Sequence, residues 1–436
     1  MEPTQASQSY GAHPSNAQND IGPTAPAPSP PGRAVAVDGA AASGQKRRLP
    51  RAATTYPRKR ATKACLTCRF RRTKCDNALP LLIYAHGSIA TSFAKNSRSD
   101  LELPSNFRQS AAFHKAESYF LAAQRRMGML LCGSSVIDAQ CFFLAGVYLM
   151  TTLRPAHAWK MFVQSLACCQ GFAIKCQHAD DGHSDDASNP ERRIYWTCFK
   201  SELELRLELN PSQKDDWDLT YPTFFPSPPE ALKAKDEGAW YFYLAEISLM
   251  RLKNRILSYL YRPGKSVAPE SSMEYTILDF EQQINAWLQS LPKQLELGVT
   301  KSDTEQHDAL TFILNGHLLD CQEAMYWQYV ADIAHGRLHH GPHAGQFIRK
   351  GLEVCVNRIW QNRKGFYHRH HGTWLMLRSC ARSAFVLLAA VRCADLAPYL
   401  PTRWEQAVTD VMADIDIDNM LSELSLAEKI DLLSGQ

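Results

Sequence analysis

Three cysteines bracketing a block of cations, in the stretch ACLTCRFRRTKCDNALP from Ala64 to Pro80, are the residues whose types and spacing best suit chemistry. Two residues separate Cys65 from Cys68 and six separate Cys68 from Cys75, so a short helical turn can aim three thiolates at one ion. Soft thiolates in a tetrahedral arrangement suit zinc. Between the second and third cysteines lie Arg69, Arg71, Arg72 and Lys74, on the turn that such a metal would hold rigid. From there they would offer cations to phosphates and bidentate donors to guanine. A C-x-x-C pair is also a redox motif, but that chemistry needs a βαβ context, and a run of arginines supplies none. Cysteines incidental to a basic tail are the other alternative.

The elements around this turn share its charge. Residues 46–75 hold 12 Lys and Arg and no Asp or Glu, leaving 36 basic and 44 acidic residues elsewhere, a balance of −8 within a formal net charge of +4. A basic arm on an acidic body is the pattern of a nucleic-acid contact, with affinity that falls steeply with salt. Two further clusters, Lys46-Arg47-Arg48 and Arg58-Lys59-Arg60, are separated by nine residues. Their spacing resembles a bipartite nuclear import signal and predicts a nuclear location; the other reading is a phosphate-binding arm, and the two roles can share residues.

CLTCRFRRTKCDNALP resembles the first half of the fungal binuclear zinc cluster, Asp76 and Pro80 included. That resemblance implies a six-cysteine DNA-binding module with two zinc ions, in which Arg71, Arg72 and Lys74 contact half-site bases and nearby phosphates. The pattern does not continue here. After Pro80 the chain reads LLIYAHGSIATSFAK, the next cysteine is Cys132, and the linker and heptad segment usual in that family are missing. The join after Pro80 therefore reads as a deletion relative to the family, through a missed exon or a splice variant. Three thiolates leave zinc one ligand short, for a water or a second chain to complete.

The remainder predicts an all-α protein. With 436 residues and 45% hydrophobic content the chain can bury a sizeable core. Its 13 scattered cysteines, and a start without an apolar signal core, point to a reducing intracellular compartment. Residues 1–45, rich in Ala, Pro, Ser, Gln and Gly, are expected to be a disordered tail. The basic arm and half cluster take 46–80, a helical body 81–411, and an acidic, apolar tail 412–436. Helical periodicity runs through SAAFHKAESYFLAAQRRMGML, from Pro155 to a closing Gly171, and from the cap Asn189-Pro190-Glu191 through IYWTCFKSELELRL. It returns over Trp240–Tyr261, Tyr275–Leu291, His307–Ala334, Gly345–Asn362 and Thr373–Ala394. The apolar run Val136–Leu153 carries Asp138 and Gln140 and reads as a core helix rather than a membrane span.

This body resembles the regulatory middle region of fungal zinc-cluster transcription factors. The resemblance rests on ERRIYWTCFKSELEL (Glu191–Leu205), WYFYLAEISLMRLKNRIL (Trp240–Leu257) and FEQQINAWLQSLP (Phe280–Pro292), in the family's order. The last residues, MADIDIDNMLSELSLAEKIDLLSGQ, resemble the start of a fungal family 3 β-glucosidase; physically they read as a short helix with a Ser425/Glu428 capping box and Gly435 at its end. An acidic activation segment is the rival reading of that tail.

Catalytic text is missing: there is no Gly-x-Ser-x-Gly elbow, no His-Glu-x-x-His and no phosphate-cradling glycine loop. The chain is thus not expected to be an enzyme. The histidine groups His339, His340, His343 and His368, His370, His371 have no cysteines or carboxylates at ligand spacing, and are expected to be solvated. Cys141, Cys168, Cys169 and Cys198 are expected to be small core residues. The resulting expectation is a nuclear, zinc-dependent regulator of RNA polymerase II genes. Its partners would be DNA with CGG-type half-sites, a second copy of the chain and transcription coactivators, and no membrane. A truncated regulator acting only through its helical body is the alternative; a glycosidase fragment rests on the last residues alone.

Overall fold

Apolar side chains recur every three or four residues along most of the chain, and the computed structural model of the protein turns each such stretch into a helix. It describes residues 78–90, 107–178, 189–209, 225–226, 228, 237–261, 270–297, 309–337, 339, 341–367 and 369–414, all within the single unit Lys63–Gln436. Among the described residues there is no strand, so the all-α expectation holds.

The helices are α1 (Ala78–Ile89), α2 (Ala111–Met127), α3 (Val136–Thr151), α4 (Pro155–His178), α5 (Asn189–Leu209) and α6 (Glu237–Leu260), followed by α7 (Glu270–Ser290), α8 (Ala309–Ala334), α9 (Ala344–Arg363), α10 (Thr373–Arg392) and α11 (Trp404–Asp414). Local chemistry sets several ends. Ser110 caps α2 by accepting from the Phe113 amide, and Ser135 with Asp138 closes a reciprocal capping box on α3. At the other end of α3, Leu153 adopts φ +55°, with the Leu153 amide donating to Met150 and the Arg154 amide to Leu149. This is a Schellman stop in which complete burial of the Leu153 side chain holds a backbone that glycine would adopt more cheaply.

Gly171 does not end its helix, as the sequence suggests; α4 continues to His178. A Cβ on Gly171 would lie 2.7 Å from Ser134 Cβ, so this glycine lets the turn before α3 approach α4 closely. A second close approach lies at Gly146, where a side chain would run into the Phe162 ring. Gly146→Leu should therefore lower stability by about 1–3 kcal/mol through overpacking. Urea denaturation followed by circular dichroism checks this, and an unchanged midpoint would mean that α3 and α4 are not in such contact.

Two main apolar cores form. Leu82, Phe120, Phe142, Tyr148 and Phe162 from α1 to α4 pack with Trp374 and Leu387 of α10 and with Val411 of α11. A second core joins Leu249 and Ile256 of α6, Ile277 and Phe280 of α7, Met325 and Tyr329 of α8, and Phe347 and Leu352 of α9. Helix α9 belongs to both, since its Cys355, Val356 and Ile359 face the first core. By length and composition α10 could cross a membrane, but more than half of it is packed inside the protein, as in a core helix. Cys141, Cys168, Cys169 and Cys198 are buried, as expected of core residues.

Candidate functional site: a polar cavity among the helices

The residues that the sequence singles out for zinc and DNA lie outside the described residues. These are Cys65, Cys68 and Cys75, then Arg69, Arg71, Arg72 and Lys74, and the clusters Lys46-Arg47-Arg48 and Arg58-Lys59-Arg60. The same holds for Ser425, Glu428 and Gly435 of the tail.

The described helices build a different site. Lys200, Glu204 and Glu208 recur at fours on α5, and Glu246, Met250 and Lys253 at fours and threes on α6, so each set shares one helix face. Those faces meet Phe312, Gly316, His317 and Asp320 of α8, Arg358 and Asn362 of α9, and Leu375, Met376 and Ser379 of α10, around a cavity of about 380 Å³. Its size falls in the range that holds small organic ligands. The turn before α10 completes the wall: the His370 amide donates to Thr373 Oγ1 and the Gly372 amide to His370 Nδ1, which sets His370 and His371 at the cavity. His371 thus has protein around it and an open face toward the cavity.

One side of the cavity is an ionic lattice. Glu246 pairs with Lys200 and stands 3.4 Å from His317 Nε2, while His317 Nδ1 is 3.9 Å from Glu204. Asp320 accepts from Lys253 at 3.2 Å on one oxygen and from the buried Arg358 at 2.8 Å on the other. Arg358 also donates to Glu323 at 2.7 Å, and Arg382 binds the other Glu323 oxygen at 2.7 Å. Glu208 closes the chain by accepting from Arg378 at 3.0 Å, with Arg382 at 3.5 Å. Much of the remaining lining is apolar, including Leu203, Leu207, Phe242, Met250, Phe312 and Leu375.

Burial and neighbouring charges compete over each ionisable group. Burial alone would raise the Glu246 carboxyl, but Lys200 and His317 outweigh it and hold it at about 2. Burial likewise opposes ionisation of Asp320, and Lys253, Arg358 and His317 carry it well below the usual carboxylate range. For Glu204 burial wins, and its carboxyl is raised despite His317 and Lys253. Burial would lower the His317 ring, yet Glu246, Glu204 and Asp320 together raise it.

The atoms of Glu204, His317 and Asp320 that could ligate a metal lie within 4.8 Å of one another. Both Asp320 oxygens are already engaged by Lys253 and Arg358, so a metal there would displace an existing ion pair. The cavity is therefore better suited to an organic ligand than to an ion.

Sequence reasoning missed this site. The spacing of histidines does not reveal it, and one expectation fails: His339 is not simply solvated, since its Nε2 donates to Asp332 at 3.0 Å and its ring lies 4.4 Å from the Tyr329 ring centre. His371 lines the cavity and is exposed, as expected. The signal that could have found the site is the unusual run of charges on otherwise apolar helices: Lys200, Glu204 and Glu208, then Glu246 and Lys253.

Comparison with known proteins decides the family. The fungal specific transcription factor domain matches residues 66–296, which is more than half of the chain. The chain belongs to the fungal specific transcription factor domain family. An uncharacterized transcriptional regulatory protein of Schizosaccharomyces pombe is similar to it, 24% identical over 165 residues, covering 36% of this chain. The match spans a fifth of that protein's own length. No solved structure matches the chain. The matched stretch of this fungal transcription factor domain supplies α5 and α6 to the cavity, whereas α8, α9 and α10 follow it in the chain. Family and relative alike carry the names of transcription regulators.

Proposed function

We propose that the chain is a nuclear, zinc-dependent, DNA-binding regulator of transcription in a fungus, in which the segment 46–80 addresses DNA and the helical body transmits a signal to it. The observation that carries this reading is that a basic cysteine turn stands at the start of the stretch 66–296 that matches the fungal transcription factor family. The donor set limits the metal. Cys65, Cys68 and Cys75 fit one zinc with one position open, not two, so a water or a second chain completes the shell. Arg71, Arg72 and Lys74 then supply bidentate and point-charge contacts to guanine and phosphate, while Lys46-Arg47-Arg48 and Arg58-Lys59-Arg60 serve import or phosphate binding. DNA with CGG-type half-sites, a second copy of the chain and coactivators are the partners on this reading.

Replacing Arg72 with Ala should weaken binding to a CGG-containing duplex by about 1–3 kcal/mol and relax the preference for that sequence. Fluorescence anisotropy with matched and scrambled duplexes measures both; unchanged specificity in the variant sinks the assignment. The missing second C-x-x-C and sixth cysteine favour a second reading, a truncated regulator that acts only through its helical body. Weak zinc binding together with equal affinity for both duplexes would select it.

A further inference from the structure

Two buried groups of the cavity wall that make no hydrogen bond are donors, whereas Glu246 Oε2, which makes none either, lies against the Lys200 ammonium. Asn254, only 1% exposed, has an Nδ2 without a hydrogen bond, and so does the Nε of Arg358, which is 2% exposed. The carboxylates, by contrast, are supplied: Glu246 has Lys200 and His317, Asp320 has Lys253 and Arg358, and Glu208 has Arg378 and Arg382. Glu204 is the exception, with His317 at 3.9 Å and its carboxyl raised by burial. Five basic and five acidic side chains make up the lattice, with His317 between Glu204 and Glu246. A buried donor left without an acceptor is costly, so this wall favours a ligand that brings acceptors and negative charge.

The apolar part of the lining dictates the rest of that ligand, with Leu207, Phe242, Met250, Phe312, Leu375 and Met376 offering hydrocarbon surface to the cavity. Gly316 lines the same space, and a Cβ there meets nothing within 4 Å, so the middle of α8 is kept open where most residues would fill it. Glycine inside a helix costs stability relative to alanine, by about 1 kcal/mol. Open space at that position is consistent with an occupant.

We propose that the cavity between α5, α6, α8, α9 and α10 binds an amphipathic organic acid, its carboxylate toward the unpartnered donors of Asn254 and Arg358 and its apolar chain along Leu207, Phe242 and Phe312. Because α5 and α6 belong to the matched family domain and α8 to α10 follow it, the acid bridges the two parts of the body. The inference stands without the DNA-binding reading.

Three probes with one tail and different heads test it: decanoate, decanol and decylamine, titrated into the purified full-length chain by calorimetry. Decanoate should bind at least about tenfold more tightly than either, the size of one charge-assisted hydrogen bond. Asn254→Leu should weaken decanoate about fivefold or more and leave decanol unchanged. Gly316→Leu should abolish binding while the helical circular dichroism persists. Equal binding of all three probes, tighter binding of decylamine, or binding of none overturns the proposal. So does full decanoate binding by a folded Gly316→Leu chain, since the acid would then lie elsewhere. The probe comparison on the unaltered chain decides the matter even if a variant does not fold.

Discussion

Arg358→Met is expected to destabilise the helical body by about 3 kcal/mol, at the lower end of what removing one partner of a buried ion pair costs. Arg358 is 2% exposed and binds Asp320 and Glu323 at once, so it ties α9 to two turns of α8. Methionine keeps much of the volume but leaves each carboxylate with one fewer cation. Lys253 remains for Asp320 and Arg382 for Glu323, which is why the cost stays below that of a fully orphaned charge. Urea denaturation reads the loss as a lowered midpoint at constant slope. A change of less than about 1 kcal/mol, the worth of an exposed pair, would mean that Arg358 does not hold this lattice together.

Acid should weaken the same lattice through Glu246. Its carboxyl lies at about 2 in the folded chain, because Lys200 and His317 override the effect of burial, against an ordinary value of 4.5. A depressed carboxyl contributes stability that is present above its unfolded value and is lost as pH falls through the folded one. The window is therefore pH 4.5 down to about 2, and the contribution is about 3 kcal/mol. Asp320 and Glu323 are shifted the same way and deepen the loss, whereas Glu204 is raised and opposes it. Glu246→Gln should be less stable at neutral pH and show a shallower acid limb in thermal melts across that window. Parallel limbs for the two chains would contradict the assignment of the low value to Glu246.

How legible this was in the sequence differs between backbone and site. Helix starts were readable because their causes are local: Asn189-Pro190 opens α5 and the apolar spacing after Thr373 gives α10. Gly171 misled because its role is contact with Ser134, which lies 37 positions earlier, and not the termination of its own helix. The partners of the cavity's charged groups were unreadable for the same reason, although the charges on α5 and α6 themselves stand in the sequence. The pairs join Lys253 to Asp320 across 67 positions and Arg378 to Glu208 across 170, and no local pattern encodes such partners. His371 looked like a loop residue in a basic, histidine-rich stretch, and its place at the cavity depends on helices far from it in the chain.

The central claim is that residues 46–80 make the chain a zinc-dependent reader of DNA, and one titration tests it most directly. A labelled duplex bearing CGG half-sites, and a scrambled duplex, are titrated with the purified full-length chain, before and after zinc is removed by a chelator, at two salt concentrations. The account predicts a preference for the CGG duplex of about tenfold or more, lost on chelation, with affinity for both duplexes falling steeply as salt rises. Equal, weak and chelator-insensitive binding to both duplexes would contradict it and leave the helical body as the functional part of the protein.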